Sequence, residues 1–331
     1  MRKFSITGVA ALSLLLLMSC GQSREAAVEV AAAPTNEETV EKAILGEEVA
    51  ATLKYLSSDE LQGRATGTDG IELAAQYIEQ YFQTHELKPF FETYRDSFDV
   101  KGVTGYNLIG LVEGTDPKLK DQYIIVGAHY DHVGRAKAVE GDSLANGAND
   151  NASGTTAVLE LAKFFADNPP RRSMLFTLFS AEEMGLVGAK ELAKRLKAEN
   201  LDLYTMFNIE MIGVPMKERD FKAYITGYDM SNLAEKFNEY SGEKILGFLP
   251  QAKEYSLFQR SDNYPFYQEF KVPAQTISTF DFSNYPYYHH VDDEFERMDP
   301  KHMENLIEAV IPGLAAMANT SQKEIKLKES L

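Results

Sequence analysis

Four short and strongly apolar runs recur along the chain. They are YIIVGA, MLFTLFS, MFNIEMI and VPAQTIS, at residues 123–128, 174–180, 206–212 and 272–278. Runs of this length that end in polar residues are typical of buried strands. Because stretches with helical spacing separate them, the pattern predicts an α/β domain with a largely parallel sheet.

Apolar residues at helical spacing predict the accompanying helices. The predicted helices cover residues 69–87, 154–166 and 301–318. Asp69 and Ser153 are expected to cap the first two helices, and Pro312 is expected to kink the third. With no internal repeat and no interior linker, residues 38–320 are expected to form one domain, followed by a polar tail over residues 321–331.

The first 20 residues follow a different pattern. The charged start MRK, the apolar run ALSLLLL and the ending MSC are typical of an export signal and too short for a convincing membrane span. The sequence LMSC also resembles a bacterial lipobox, which implies a lipid on Cys20. The alternative is a cleaved secretory signal with an incidental cysteine. Residues 21–37 are small and polar and are expected to form a flexible tether.

A lipid on Cys20 would be the expected contact with a membrane. Gly21 and Gln22 follow it, without the aspartate that retains some lipoproteins at the inner membrane. We therefore expect a location in the bacterial cell envelope, at the outer membrane. Cys20 is also the only cysteine of the chain, so its lipidation would exclude cysteine catalysis and thiolate metal ligands.

Composition narrows the function classes further. The 331 residues are 44% hydrophobic, which is ordinary for a globular protein, and carry a formal net charge of −17. A body this acidic repels phosphate backbones, and no basic patch stands out in the sequence. Nucleic acid is therefore not an expected partner, and the oligomeric state stays open.

Each apolar run leads toward polar residues with catalytic potential. The segments are GAHYDHVG, GANDNASG, SAEEMGL, FNIEMIG and the aromatic loop that ends in YYHHVDD. Active sites of open α/β sheets lie at the carboxyl ends of the strands, so these segments should meet at one edge. Imidazole and carboxylate groups without thiolates suit a catalytic zinc site that keeps open coordination positions.

Each segment also has an ordinary structural interpretation. If the first strand continues, His129 and Asp131 share a side, and the carboxylate could hold the imidazole in the tautomer that binds a metal. His132 would then point away and be structural. GANDNASG would suit a simple turn. Alternation would likewise allow Glu210 to sit on a solvated strand face.

The adjacent pair Glu182 and Glu183 has two interpretations as well. One carboxylate could bind a metal while the other reaches a water on that metal, or both could be solvated. The tyrosines and the phenylalanine near His289 are similarly open, as an apolar wall for a substrate side chain or as loop packing. These four aromatic residues are Phe282, Tyr285, Tyr287 and Tyr288.

The order and spacing of the motifs resemble those of the co-catalytic zinc aminopeptidases. This metallopeptidase family includes bacterial leucyl aminopeptidases and, more distantly, glutamate carboxypeptidase and glutaminyl cyclases. The upstream segments YLSSDELQGRATGT and YNLIGLVEG are similar too, so the resemblance covers about residues 50–315. It implies a three-layer zinc-exopeptidase-like fold with a central, mostly parallel mixed sheet between helices.

The resemblance implies two zinc ions bridged by Asp150. Glu183 and His289 would complete the ligands of one ion, and His129 and Glu210 those of the other. The implied substrate is a peptide.

The resemblance also makes Glu182 the general base, which takes a proton from the attacking water and passes it to the leaving amine. Asp131 is expected to assist catalysis by orienting His129. General acid–base work of this kind is typically worth ~10²- to 10⁴-fold in rate.

Either of the adjacent histidines His289 and His290 could be the last metal ligand. The family pattern is a Tyr-His pair with an aspartate four residues after the histidine, and it matches Tyr288, His289 and Asp293. His289 is therefore the expected ligand rather than His290.

The chain departs from the family pattern at two positions. Glu210 stands where the family typically has aspartate, so either the backbone sits further back or the second metal shifts. Asn263 stands where many relatives carry histidine, at a position with no assigned metal role.

These motifs and departures are compatible with three functions. The first is a zinc exopeptidase, specifically an aminopeptidase. The second is a single-zinc acyltransferase similar to glutaminyl cyclase, and the third is a lipoprotein that kept the fold and binds without catalysis. The altered Glu210 is the only support for the third.

Overall fold

The computed structural model describes residues 44–329 of the chain. These residues form a domain built on a nine-stranded mixed sheet. Its strands are β1 (Lys88–Pro89), β2 (Arg95–Val100), β3 (Val103–Val112), β4 (Gln122–His129), β7 (Ser173–Phe179), β8 (Asp202–Glu210), β9 (Ala223–Ile225), β10 (Leu246–Gly247) and β11 (Ala274–Ser278). A separate hairpin pairs β5 (Gly134–Val139) with β6 (Asp142–Ala145).

The four predicted strands are the four central strands of this sheet. The order is β1-β3-β7-β4-β8-β11-β9-β10, with β2 also paired to β3. β7, β4, β8 and β11 are mutually parallel neighbours, whereas the β3–β7 and β9–β11 pairs are antiparallel. The prediction of a mostly parallel mixed sheet is therefore confirmed.

Helices cover both faces of the sheet. They are α1 (Gly46–Leu56), α2 (Asp69–Thr84), α3 (Gly154–Asp167), α4 (Val187–Ala198), α5 (Leu233–Ser241), α6 (Pro250–Glu254), α7 (Asn263–Phe270) and α8 (Pro300–Asn319). Ile124 and Val126 of β4 belong to the core shared with α1, α2, α3, α5 and α8, while Ile125 faces α4 and α7. This alternation of one strand between two cores gives the three layers expected from the sequence.

One of the two predicted cap residues stands at the cap position, since Ser153 directly precedes α3. α2 begins with Asp69 already inside the helix, and neither helix has a side-chain cap hydrogen bond. Ser153 Oγ instead donates to the carbonyl of Asn149, at 2.7 Å, and accepts the N–H of Ile212, at 3.0 Å. The hydroxyl therefore ties the start of α3 to the end of β8.

The segment expected to be a polar tail packs on the domain as far as it is described. Ile325 is 2% exposed, and its N–H donates to the Tyr204 hydroxyl at 2.9 Å. The reason is the alternation of Ile325 and Leu327 with lysines, which gives an otherwise polar segment one apolar face.

The predicted signal at residues 1–20 and the tether at residues 21–37 lie outside the described residues. Among residues 44–329, no helix is long and apolar enough to span a membrane.

Candidate active site

The carboxyl edge of the central strands brings all five predicted metal ligands together. His129 ends β4 and Glu210 ends β8, while Glu183 follows β7. Asp150 lies in the irregular turn before α3, and His289 lies in the loop after β11. Because parallel strands end at the same edge, distant segments of the sequence meet here.

Asp150 lies between two histidines. Its Oδ1 is 3.4 Å from His129 Nε2, and its Oδ2 is 3.2 Å from His289 Nε2. Each histidine has a second carboxylate beside it, Glu210 Oε1 at 3.0 Å from His129 and Glu183 Oε1 at 3.1 Å from His289. Asp150 therefore lies between two sets of possible metal ligands, with one carboxylate oxygen facing each set.

These contacts define two clusters of possible ligand atoms. Group A consists of His132, Asp150, Glu183 and His289, and group B of His129, Asp150 and Glu210. Within each group the atoms lie within 4.8 Å of one another. His290 belongs to neither group; its Nδ1 accepts the N–H of Asp292.

The expectation that His132 points away from the site is wrong. Its Nδ1 lies 3.1 Å from Glu183 Oε1 and 3.7 Å from Asp150 Oδ2, with the side chain fully buried. The expectation assumed strand alternation, but β4 ends at His129 and alternation does not apply beyond it.

Asp131 supports the site differently from the prediction. His129 Nδ1 lies 3.0 Å from the Asp131 backbone carbonyl and 3.7 Å from the Asp131 carboxylate. The carbonyl therefore orients the imidazole and leaves Nε2 facing the carboxylates of Asp150 and Glu210. The Asp131 carboxylate instead accepts the N–H groups of Glu182 at 3.1 Å and Glu183 at 3.4 Å. Asp131 thus positions the Glu182–Glu183 turn.

Arg64 is a site residue that sequence reasoning missed. Its buried guanidinium donates to the carbonyls of Tyr130, Asn146 and Gly147, at 2.8, 2.6 and 2.9 Å, and to that of Leu56. These bonds connect the segment after β4 to the segment before Asp150. The only signal was its place in the upstream segment YLSSDELQGRATGT.

Asp293 anchors the Asp150 turn from the other side. Its Oδ1 accepts the Asn149 N–H at 2.8 Å and the Tyr285 hydroxyl at 2.6 Å, and its Oδ2 accepts the Asp150 N–H at 3.0 Å. The aspartate of the Tyr-His pattern therefore fixes the turn that carries Asp150 relative to the loop that carries His289.

The solvated interpretation of Glu210 does not describe its surroundings. Its side chain is 18% exposed, and Ser261 Oγ donates to Oε2 while Oε1 faces His129. Asn208, on the same face of β8, is fully buried and donates to Ser261 Oγ at 2.9 Å. Asn263 bonds the Ala274 carbonyl, at 3.0 Å, and lies outside both groups.

The aromatic loop divides between the two proposed roles. Tyr285 is buried and bonds Asp293, and Tyr287 packs against the core. In contrast, Tyr288 is 52% exposed and stacks on His289 at 3.9 Å between ring centroids, and Phe282 is 41% exposed. Only Tyr288 and Phe282 are therefore placed to form a wall beside the site.

The site concentrates negative charge in a buried place. Burial raises the pKa of Glu182 well above its usual value, with Glu210 adding to the effect and His129 opposing it. Burial lowers the pKa of His289, but Asp150 and Glu183 outweigh this and raise it to about 10. Such a cluster favours bound cations, because a divalent ion offsets the cost of several desolvated carboxylates.

The donor atoms fit zinc. With zinc–nitrogen and zinc–oxygen distances of roughly 2.0–2.2 Å, neighbouring ligand atoms of a tetrahedral ion lie roughly 3.3–3.5 Å apart. The histidine-to-carboxylate separations, 3.0 and 3.4 Å in group B and 3.1 to 3.7 Å in group A, bracket that value. His289 Nε2 and Asp150 Oδ2 are buried without a hydrogen bond although they lie 3.2 Å apart, as expected for atoms that face a common ion.

A known family model matches the part of the chain that contains this site. The model of peptidase family M28 matches residues 107–313, which include every residue of groups A and B. The chain belongs to peptidase family M28. The resemblance drawn from the five motifs is thereby confirmed.

Individual proteins similar to this M28 chain include named aminopeptidases and a glutaminyl cyclase. Aminopeptidase YwaD of Bacillus subtilis is 30% identical over 233 residues, which are 68% of this chain and 47% of YwaD. The structure of BSAP, a zinc aminopeptidase from Bacillus subtilis, has a TM-score of 0.67 at 16% identity, covering 87% of this chain and 98% of that one. A glutaminyl cyclase from Bacteroides thetaiotaomicron has a TM-score of 0.60 at 16% identity, covering 82% and 98%.

These likenesses differ in what they establish. At such low identity, the two solved structures show the shared fold alone. The M28 chain described here spans less than half the length of the curated relatives it matches.

Proposed function

We propose that this M28 protein is a zinc-dependent aminopeptidase that removes N-terminal residues from peptides. The observation that carries the proposal is the position of Asp150, whose two oxygens face two separate histidines within two ligand groups. A pair of ions that share a carboxylate suits hydrolysis of an amide, because both the attacking water and the carbonyl need activation.

The proposed ligands are the five residues expected from the sequence. Asp150 would bridge two zinc ions, with Glu183 and His289 on one and His129 and Glu210 on the other. Bound zinc would supply Lewis acidity, lowering the pKa of a water and polarising the scissile carbonyl.

Glu182 is the proposed general base. It is half-buried beside the cluster, and no described residue donates a hydrogen bond to its carboxylate, while Asp131 accepts its backbone N–H at 3.1 Å. The raised pKa of Glu182 favours a carboxyl that accepts a proton and then returns it to the leaving amine. Its role is therefore to move the proton from the water to the product amine.

The exposed aromatic pair suggests the substrate. Tyr288 and Phe282 both pack against the buried Phe280, at 5.9 and 4.6 Å between ring centroids. They would offer an apolar surface beside the ligand His289, so we propose a preference for peptides with an apolar N-terminal side chain.

Hydrolysis of matched peptides tests the function. The purified, zinc-loaded chain should release the first residue from a peptide that begins with leucine, and should release none when the same peptide is N-acetylated. Equal cleavage of both peptides would indicate an endopeptidase, and cleavage of neither would refute the proposal.

The same assay addresses the other candidates. A peptide beginning with glutamine would be cyclised, with loss of ammonia, by an enzyme similar to glutaminyl cyclase. The complete group B, with Glu210 against His129, favours two zinc ions over the single ion of that alternative. Zinc binding without turnover on any peptide would favour the non-catalytic lipoprotein.

We further propose that a lipid on Cys20 anchors the protein at the bacterial outer membrane. The lipobox-like sequence and the polar segment after it support this placement. Incorporation of labelled palmitate into the chain, and its loss in Cys20→Ala, would test the anchor, and cell fractionation would test the membrane.

A further inference from the structure

His132 and His289 face the same two carboxylate oxygens of the site, one from Glu183 and one from Asp150. His132 Nδ1 faces Glu183 Oε1 at 3.1 Å and Asp150 Oδ2 at 3.7 Å. His289 Nε2 faces the same two oxygens, at 3.1 and 3.2 Å. The two imidazole rings meet edge to face, with centroids 5.6 Å apart.

The 3.1 Å contact between His132 Nδ1 and Glu183 Oε1 has the length of a hydrogen bond. It differs from an isolated hydrogen bond because His289 Nε2 faces the same pair of carboxylate oxygens as His132 Nδ1. All four atoms lie within 4.8 Å of one another, and the four nitrogen-to-oxygen separations of 3.1–3.7 Å bracket the tetrahedral value of roughly 3.4 Å.

The surroundings hold the His132 imidazole in place. The side chain is fully buried, and a β-carbon added at Gly147 would come within 2.6 Å of the ring. The backbone N–H of His132 donates to the Arg64 carbonyl at 3.3 Å. An imidazole with so little freedom costs little entropy to use as a ligand.

We propose that His132 Nδ1 is a fourth protein ligand of the zinc ion held by group A. This inference rests on the proposed zinc centre and adds an asymmetry to it. Group A then supplies a full tetrahedral set of protein ligands, while group B supplies three and leaves a position open. The ion in group A is bound more tightly and is lost last, and the ion in group B exchanges more readily with solution.

Counting imidazoles by zinc X-ray absorption tests the assignment on the unmodified full chain. When one zinc is bound per chain, it should occupy group A and show two imidazole ligands, from His132 and His289. When two are bound, the average should be 1.5 imidazoles per zinc. One imidazole per zinc at both loadings would overturn the assignment.

A matched pair of variants adds a second readout. His132→Asn should reduce the count at one zinc per chain to a single imidazole and weaken the first zinc more than ~100-fold, beyond the ~10- to 100-fold typical of an outer-shell partner. His290→Asn, which alters a histidine outside both groups, should leave count and affinity unchanged. A His132→Asn protein with an unchanged count would overturn the assignment.

The outcome separates this inference from the proposed function. An active peptidase with one imidazole per zinc would refute the ligand role of His132 alone. A chain that binds no zinc at all would refute the zinc centre together with it.

Discussion

Replacing Arg64 with alanine should destabilise the domain and loosen the metal site. The guanidinium makes four hydrogen bonds to backbone carbonyls. At the lower end of the range for charged hydrogen bonds, ~1.5 kcal/mol each, they contribute about 6 kcal/mol. Burial lowers the pKa of Arg64 to about 10, and Asp293 opposes this shift. Because the energy per hydrogen bond is already net of desolvation, we expect a loss of about 6 kcal/mol.

Urea unfolding of the zinc-loaded protein at a fixed metal concentration measures this loss. Arg64→Lys keeps the charge without the fork of donors and should fall between the wild type and Arg64→Ala. Arg135→Ala is the matched control, because within residues 44–329 that exposed side chain donates only to Ser143 Oγ, and its effect should stay within ~0.5 kcal/mol.

The same variant should weaken zinc binding, because Arg64 connects the segment that carries Asp131 to the turn that carries Asp150. Zinc titration of the folded protein measures that second effect. If Arg64→Ala resembled Arg135→Ala in both unfolding and zinc affinity, the structural role assigned to Arg64 would be refuted.

Three further changes have defined outcomes. Glu182→Gln should keep both zinc ions and lose ~10²- to 10⁴-fold in peptide hydrolysis, and a wild-type rate would reject its role. Glu210→Ala should weaken one zinc far more than the other in a calorimetric titration, and equal retention would exclude it as a ligand. Burial raises the pKa of Glu160 to about 7, so its stabilising contribution is full below about pH 4.5 and is lost as pH rises through 7. The stability gained by Glu160→Gln in urea unfolding should therefore grow from pH 5 to pH 8, on the order of 3 kcal/mol at most, and a constant difference would contradict this.

The central strands could be predicted because they are buried on both faces. β4, β7, β8 and β11 read as continuous apolar runs for that reason. The outer strands β1 and β2 are short or partly exposed, and their sequences carry no comparable signal. The strands at the centre of the sheet were therefore easier to predict than those at its edges.

Site residues were predictable where their own chemistry identified them. His129 and Glu210 of group B stand out as polar groups at the ends of apolar runs. Arg64 does not, since its partners are backbone carbonyls that no side-chain pattern reveals. His132 was misjudged because the strand ends three residues before it, which only the folded backbone shows.

Glu210 shows how the chain accommodates a longer side chain where its family typically has aspartate. Each of its oxygens is engaged, Oε1 by His129 at 3.0 Å and Oε2 by Ser261. Ser261 is itself fixed by a hydrogen bond from Asn208, which lies two residues before Glu210 on the same face of β8. The carboxylate of this longer side chain therefore meets a hydrogen-bond donor outside groups A and B while one oxygen still faces His129. With such support, the substitution is compatible with a second metal ion, and the acidic residue within an apolar strand has a physical reason to be there.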